Sequence, residues 1–267
     1  MKPRKKLGLA LGSGGTRGLA HVGVIKVLVK NNIPIDYIAG SSIGAWVGAH
    51  YALYNNVEEL EFLTDGKKRE KLFTFFEPSF SGGLVKGDKL EKLLEEWLGK
   101  SSFADLKIPL QIVTTDLIKG EKFVIKKGLL APAVHASMSI PGLFNPVKYE
   151  NKILVDGGVV DPVPDEVVKK MGADVVLAVC LDKFPKMIFD ENKELNLRNV
   201  LNRSMEIMSF YLSSYSIKMA DIVVHPELTK YSSWGEYFLK DTSKEIIKIG
   251  EREMEKMLPR LIKLLDQ

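Results

Sequence analysis

Ser42 stands at the centre of Gly40-Ser41-Ser42-Ile43-Gly44, with the apolar run Ile35-Asp36-Tyr37-Ile38-Ala39 before it and Ala45-Trp46-Val47-Gly48-Ala49 after it. A G-x-S-x-G pattern between a strand and a helix is a nucleophile elbow. Its central residue takes a strained backbone, and glycine two positions either side avoids a Cβ that would strike the neighbouring strand or helix. The product is a hydroxyl exposed at a helix N-terminus and suited to nucleophilic attack. A turn with no chemical role uses the same residue types, so the flanking segments carry the decision.

One supersecondary unit upstream, Lys6 to Leu11 reads as a short buried strand. Gly12-Ser13-Gly14-Gly15-Thr16-Arg17-Gly18 reads as a tight loop, and Leu19 to Val29 as an amphipathic helix feeding the Ile35 strand. A right-handed βαβ crossover makes the two strands parallel, so the glycine loop and the serine elbow emerge at the same carboxyl edge of the sheet. The loop is not a dinucleotide fingerprint, because Arg17 occupies the third glycine position, and it has no Walker A lysine. What remains is a cluster of backbone N–H groups at a helix N-terminus, suited to a developing oxyanion or to a phosphate. A cation there is unfavourable by roughly 0.3–1 kcal/mol, so Arg17 predicts an anion or an acidic side chain nearby. The alternative is a loop shaped for packing, with Arg17 paired to a surface carboxylate.

A nucleophilic serine needs a base. The histidines are His21, His50, His135 and His225. His21 and His50 fall within the helices that follow the two loops, where an imidazole has a structural role. His225 follows the strand-like Asp221-Ile222-Val223-Val224 and gives the chain order Ser, Asp, His of an α/β-hydrolase triad. Against that triad, the elbow follows the second predicted strand, earlier in the sheet than in α/β-hydrolases. Asp156 is the other candidate. Lys152-Ile153-Leu154-Val155 reads as a strand ending in Asp156-Gly157-Gly158, a carboxylate at a strand terminus with two glycines that permit close backbone approach. Asp-Gly-Gly also makes hairpin turns, but Val159-Val160-Asp161-Pro162-Val163-Pro164 follows in place of an alternating return strand.

Together these blocks resemble the patatin-like phospholipases, serine lipid acyl hydrolases with a Ser-Asp dyad. Gly12 to Gly18 is similar to the family's oxyanion-hole motif and Gly40 to Gly44 to its elbow. Ala136-Ser137-Met138-Ser139-Ile140-Pro141-Gly142-Leu143-Phe144 is similar to its third block, and Asp156-Gly157-Gly158 to its dyad aspartate. The resemblance implies a three-layer α/β/α fold with a mostly parallel central sheet. It implies a catalytic core over 6–170, with 171–267 adding C-terminal strands and helices to the same domain. It further implies Ser42 as nucleophile, Asp156 as base, an oxyanion hole at Gly14, Gly15 and Arg17, and no metal or cofactor. The implied activity is that of an esterase of phospholipase A or lysophospholipase type acting on a lipid or lysolipid acyl ester. A non-hydrolytic regulator or lipid-binding protein that retains the site, and a triad esterase using His225, remain open. An unperturbed aspartate has a pKa near ~3.9, so Asp156 must be desolvated and closely hydrogen-bonded to Ser42 to act as base.

The chain has 267 residues, enough for one α/β domain with a large core. Its net charge of +4 does not argue for nucleic acid, and its solitary Cys180 gives no zinc site or disulfide. The basic start Met1 to Lys6 leads into a run broken by glycines, which is neither a signal peptide nor a membrane span, so a cytoplasmic location is expected. Lys67 to Gly87, where Lys67-Lys68-Arg69 precedes a cluster of phenylalanines, reads either as a mobile lid that touches an anionic membrane surface or as a core-facing stripe. Tyr231 to Phe238 is an interfacial belt or a loop over apolar core. A helix over Asn199 to Ala220, with Met205, Met208, Phe210, Tyr211 and Met219, packs on the sheet or lines an acyl pocket. Oligomeric state has no signature in the sequence.

Overall fold

The computed structural model describes residues 3–64, 88–182, 196–228, 231 and 242–267. The segment Lys67 to Gly87 and, apart from Tyr231, the stretch to Phe238 lie outside the described residues. Among the described residues eight strands form one mixed sheet: β1 (Leu7–Leu11), β2 (Tyr37–Ser41), β3 (Leu110–Asp116), β4 (Glu121–Ile125), β5 (Val147–Tyr149), β6 (Lys152–Asp156), β7 (Val175–Val179) and β8 (Ile222–Val224). The β1 strand is central, parallel to β2 on one side and β7 on the other. The β2–β3 and β7–β8 pairs are also parallel, whereas β4, β5 and β6 join antiparallel.

Helices cover both faces: α1 (Leu19–Lys30), α2 (Ile43–Tyr54), α3 (Val57–Thr64), α4 (Asp88–Leu98), α5 (Leu130–Ser137), α6 (Asp165–Lys170), α7 (Leu197–Tyr215) and α8 (Ser243–Asp266). The period of two in each strand divides the core by size. Leu7, Leu9, Leu11, Ile38, Leu177 and Val179 point into the large cluster that includes α1, α2, α5 and α8. Smaller Ala39, Val113 and Val176 meet Val167 and Val168 of α6 on the opposite face. Burial on both faces explains why the central strands read as continuous apolar runs rather than alternating ones. Among the described residues no helix is long and apolar enough to cross a membrane.

The helix expected over Asn199 to Ala220 runs instead from Leu197 to Tyr215. Beyond it the Met219 N–H donates to the Asp165 carboxylate at 2.6 Å, a partner outside the helix that draws the chain away from its axis toward β8.

The register of β3 sets the position of the site. The β4 strand takes one edge of β3 over Ile112–Asp116. On the other edge β2 pairs as far as Ser41↔Val113, and β6 takes over at Thr114↔Asp156. Because β2 runs parallel to β3 and β6 antiparallel, the two strands meet head-on with their carboxyl ends facing. Neither can continue. Gly157 makes the meeting possible, since a Cβ there would collide with the Val113 carbonyl oxygen and lie 2.6 Å from Ser41 Oγ. Gly157→Ala is therefore expected to force the strand ends apart and cost about 1–3 kcal/mol, lowering Tm by about 3–10 °C in a thermal melt. A melt identical to wild type would mean that the junction yields without cost.

Candidate active site

Ser42 leaves β2 with φ 55° and ψ −124°, a conformation costing roughly 1–3 kcal/mol for a residue with a Cβ. It is held there from both sides. Its N–H donates to Ser137 Oγ at 2.9 Å, and that hydroxyl donates onward to the Val113 carbonyl at 2.7 Å. Its carbonyl accepts from the N–H groups of Ala45 at 2.9 Å and Trp46 at 3.3 Å, starting α2. Gly44 lies where a Cβ would collide with the Leu11 carbonyl oxygen, and at Gly40 it would sit 2.5 Å from the Gly44 oxygen, so the elbow packs directly on neighbouring backbone.

From the opposing strand end, Asp156 accepts the Ser42 hydroxyl at Oδ2, 2.6 Å away, and the Gly158 N–H at Oδ1, 2.7 Å away. Asp156-Gly157-Gly158 opens a 3-10 turn (Gly157–Val159) rather than a hairpin. The Asp156 N–H donates to the Ser139 carbonyl at 3.0 Å, and its carbonyl accepts from Thr115 Oγ1 at 2.8 Å. Both Ser42 and Asp156 are only 5 % exposed. Burial pushes the Asp156 carboxyl up to about 6, against the opposing pull of the Ser42 and Gly158 hydrogen bonds.

The glycine loop arrives beside them. Gly12 and Ser13 spend their N–H groups on the Val179 and Pro162 carbonyls, at 3.1 and 2.8 Å. Gly14 (φ 154°) and Gly15 (φ 56°) then turn through conformations that favour glycine and open a 3-10 turn (Gly15–Gly18) leading into α1. The N–H groups of Gly14 and Gly15 meet no acceptor among the described residues, as the first donors of a helical turn characteristically do not. Arg17 lies across the loop. Its N–H and Nε both donate to the Gly14 carbonyl, at 3.2 and 3.3 Å, and Nη2 pairs with Asp182 at 2.9 Å. The acidic partner that this cation calls for is thus Asp182, 8 % exposed, rather than a surface carboxylate. Gly18 packs against Ile43 and Gly158 against Ser13, closing the loop onto the elbow and the aspartate turn.

Ser42, Asp156, Gly14, Gly15, Arg17 and Gly158 line one cavity of about 600 Å³. Its other walls are largely apolar: Ile140, Pro141, Val159, Leu181 and Leu228, with Met205, Met208, Phe210 and Leu212 from α7, while Ser13, Asp182, Arg203, Glu206 and Ser209 complete the lining. Met219 and Tyr211 are not among the lining residues. The size and the few convergent polar groups are those of a small-molecule site.

The histidines stand apart. His21 is fully buried and its Nε2 lies 2.8 Å from the Gly12 carbonyl. A carbonyl only accepts, so Nε2 carries the proton. Burial lowers the pKa of both His21 and His50 to about 4, leaving them neutral. His135 Nδ1 is 3.7 Å from Glu91. His225 follows β8, three ladder spacings or roughly 14 Å from β2 in the sheet, and is not among the cavity-lining residues. No imidazole intervenes between Ser42 and Asp156, whose oxygens are in direct contact. Among the described residues no group of His, Cys, Asp or Glu is arranged to hold a metal ion. Sequence reading assigned no role to Ser137, Ser209, Ser213 or Asp182.

A strained serine against a buried aspartate, at the carboxyl ends of β2 and β6 in a mostly parallel sheet, places the chain among α/β proteins with a serine at a sharp strand-to-helix turn. It belongs to the patatin-like phospholipase family, whose model matches residues 9–168. An uncharacterized NTE-family protein of Mycobacterium bovis is 35% identical over 178 residues, 66% of this chain and 49% of its own length. Lysophospholipase NTE1 of Pyricularia oryzae is 32% identical over 179 residues, 66% of this chain and 12% of the fungal protein. The chain thus spans about half the length of the mycobacterial relative and a small part of the fungal one. Among solved structures, VipD from Legionella pneumophila superposes with a TM-score of 0.61 at 15% identity, covering 99% of this chain and 67% of that one, a likeness of fold.

The raised Asp156 pKa has a consequence for stability. The folded state binds this proton more tightly than the unfolded chain, whose value is 3.8. The contribution is therefore complete below 3.8 and is lost as pH rises to about 6, on the order of 3 kcal/mol. Asp156→Asn, which cannot ionise, is expected to gain on wild type in denaturant-unfolding free energy between pH 4 and pH 7 and then to level off. A constant difference between the two across that range would show that the carboxyl is not perturbed.

Proposed function

We propose that the protein is a serine lipid acyl hydrolase of phospholipase A or lysophospholipase type, with Ser42 as nucleophile and Asp156 as its base. The observation that carries this reading is the 2.6 Å contact between Ser42 Oγ and a buried carboxyl whose pKa is near 6. A general base works best when its pKa lies close to the working pH, and desolvation brings an aspartate there. As Asp156 takes the hydroxyl proton, Oγ bonds to the ester carbonyl carbon, and the oxyanion meets the N–H groups of Gly14 and Gly15. The tetrahedral adduct collapses, its C–O bond to the alcohol breaks, and Asp156 returns the proton to the leaving oxygen. Water then attacks the acyl-serine, giving a proton to Asp156; the C–Oγ bond breaks, Asp156 passes that proton to Oγ, and the fatty acid leaves with the Ser42 hydroxyl and the Asp156 carboxylate restored.

The apolar cavity supports an acyl chain as the group placed beside Ser42, with the alcohol portion toward solvent. Lysophospholipase relatives among the fungal proteins support a lysophospholipid as substrate. The direct Ser42–Asp156 contact favours the aspartate over His225 as base.

Ser42→Ala is expected to lower hydrolysis of both a p-nitrophenyl ester and a lysophospholipid by at least about 10³-fold, and to abolish labelling by a fluorophosphonate, with the melting profile retained. Asp156→Asn is expected to fall comparably and His225→Ala to stay within about threefold of wild type. The inverse ranking would make His225 the base. Because Asp156 must be ionised to accept the proton, kcat/KM is expected to rise with pH along a single ionisation near 6, then to plateau. A profile flat from pH 5 to 8 would exclude a base of this pKa.

A further inference from the structure

One carboxylate joins the glycine loop to the wall of the cavity. Asp182, just beyond β7 and 8 % exposed, accepts Arg17 Nη2 at Oδ1 (2.9 Å). At Oδ2 it accepts Ser209 Oγ (2.7 Å) and Ser213 Oγ (2.8 Å), one turn apart on α7. Arg17 Nη1 adds a hydrogen bond to the Leu181 carbonyl at 3.2 Å, and Nε one to the Gly14 carbonyl. Gly14 itself lies against Leu181, whose Cδ1 would be 2.7 Å from a Cβ at that position.

The Gly14 carbonyl and the Gly15 N–H belong to one planar trans peptide and point in opposite directions. Whatever holds the carbonyl therefore aims the N–H. Two donors from Arg17 hold it here, the backbone N–H and Nε. Glycines on both sides leave this peptide freer to rotate than any other unit of the loop, and rotation would exchange the directions of its N–H and its carbonyl oxygen. A guanidinium suits the task because its fixed fork reaches three acceptors at once, namely Gly14 O, Leu181 O and Asp182.

Building on the acyl-hydrolase reading above, we propose that Asp182 is a positioning residue for the oxyanion donors: it anchors Arg17 so that the Gly14–Gly15 peptide presents its N–H to the reacting carbonyl. Through Ser209 and Ser213 it ties that orientation to the seating of α7. Since α7 also supplies Met205, Met208 and Phe210 to the cavity, one helix carries both part of the apolar wall and the serines that hold Asp182. Asp182 touches no reacting atom in this scheme. Its effect is exerted through Arg17.

The test is kinetic. Asp182→Asn keeps the shape and an oxygen for the serines but removes the charge that fixes Arg17. In the full chain it is expected to lower kcat on p-nitrophenyl butyrate and on a lysophospholipid about 10–100-fold, with KM within about twofold, because oxyanion donors act in the transition state. A trifluoromethyl ketone, which forms a tetrahedral adduct with Ser42, is expected to lose affinity by the same factor. A lysophospholipid ether analogue, which has no carbonyl, is expected to bind as it does to wild type. The paired Ser209→Ala, Ser213→Ala variant leaves the ion pair intact and is expected to reproduce the loss in kcat at about 3–10-fold. It decides the matter should Asp182→Asn fail to fold. Unchanged kcat, or equal weakening of ketone and ether analogue, overturns the proposal. An inactive Ser42→Ala beside a fully active Asp182→Asn overturns this role alone, whereas an active Ser42→Ala overturns the hydrolase reading beneath it.

Discussion

The site depends on two strands competing for one edge of a third. The β2 strand pairs with β3 as far as Val113 and β6 begins at Thr114, from the opposite direction. Adjacent positions on a strand are only about 3.3 Å apart. The two chain ends must therefore leave the sheet beside each other, β2 through Ser42 into α2 and β6 through Asp156 into a 3-10 turn. No long-range motion or flexible loop is needed to bring the serine and the aspartate together. The same ladder that holds the sheet measures their separation, and Ser137, by bonding both the Ser42 N–H and the Val113 carbonyl, fastens the elbow to the strand both ends share.

That arrangement has opposing energetic terms. Desolvation of Asp156 disfavours its ionised form, and the positive φ at Ser42 carries backbone strain. Both are offset locally. Asp156 gathers two donors at its carboxylate and Ser42 has its backbone donor and acceptor satisfied, so neither residue leaves an unmet polar group beside the cavity. The surrounding core supplies the rest of the stabilisation. It is deepest on the face where α1, α2, α5 and α8 meet the large side chains of the central strands.

The parts that were legible in the sequence are those whose geometry is encoded by neighbours in the chain. Gly40 and Gly44 flank Ser42 at the spacing that an elbow requires, and the strand Lys152 to Val155 visibly ends in Asp156. The mostly parallel sheet followed from the first βαβ unit and the family resemblance, whereas the antiparallel β4, β5 and β6 were not read. Arg17 was informative because it was electrostatically out of place: a cation at a helix N-terminus called for an acidic neighbour. Which acid it was could not be read, because Asp182 is 165 positions away and meets Arg17 only through the β1–β7 pairing. The split edge of β3 was equally hidden, since register is a property of paired strands and not of either sequence. Ser137 lay within a recognised block without its role being apparent, for its partners Ser42 and Val113 come from two other elements. The end of α7 was misplaced because Asp165 competes for Met219 from outside the helix.

On the proposed mechanism a single carboxylate takes the role that a triad divides between imidazole and aspartate, and the charge balance shows what the remaining residues must do. Before attack the reacting pair carries one negative charge, on Asp156. After attack Asp156 is neutral and the charge is on the substrate oxygen. The reaction thus moves a charge rather than creating one, and the low dielectric that raises the Asp156 pKa penalises the oxyanion as well. Burial alone therefore gives no acceleration. The transfer is favourable only if the destination is better solvated by fixed dipoles than the origin. Gly14 and Gly15, whose N–H groups meet no acceptor among the described residues, line the cavity shared with Ser42, and the positive end of α2 lies at Ser42 itself. Asp156, by comparison, has one backbone donor and the hydroxyl whose proton it removes. In this mechanism the asymmetry between these two ends acts together with the basicity of Asp156, so the orientation of one glycine peptide matters in addition to the identity of the base.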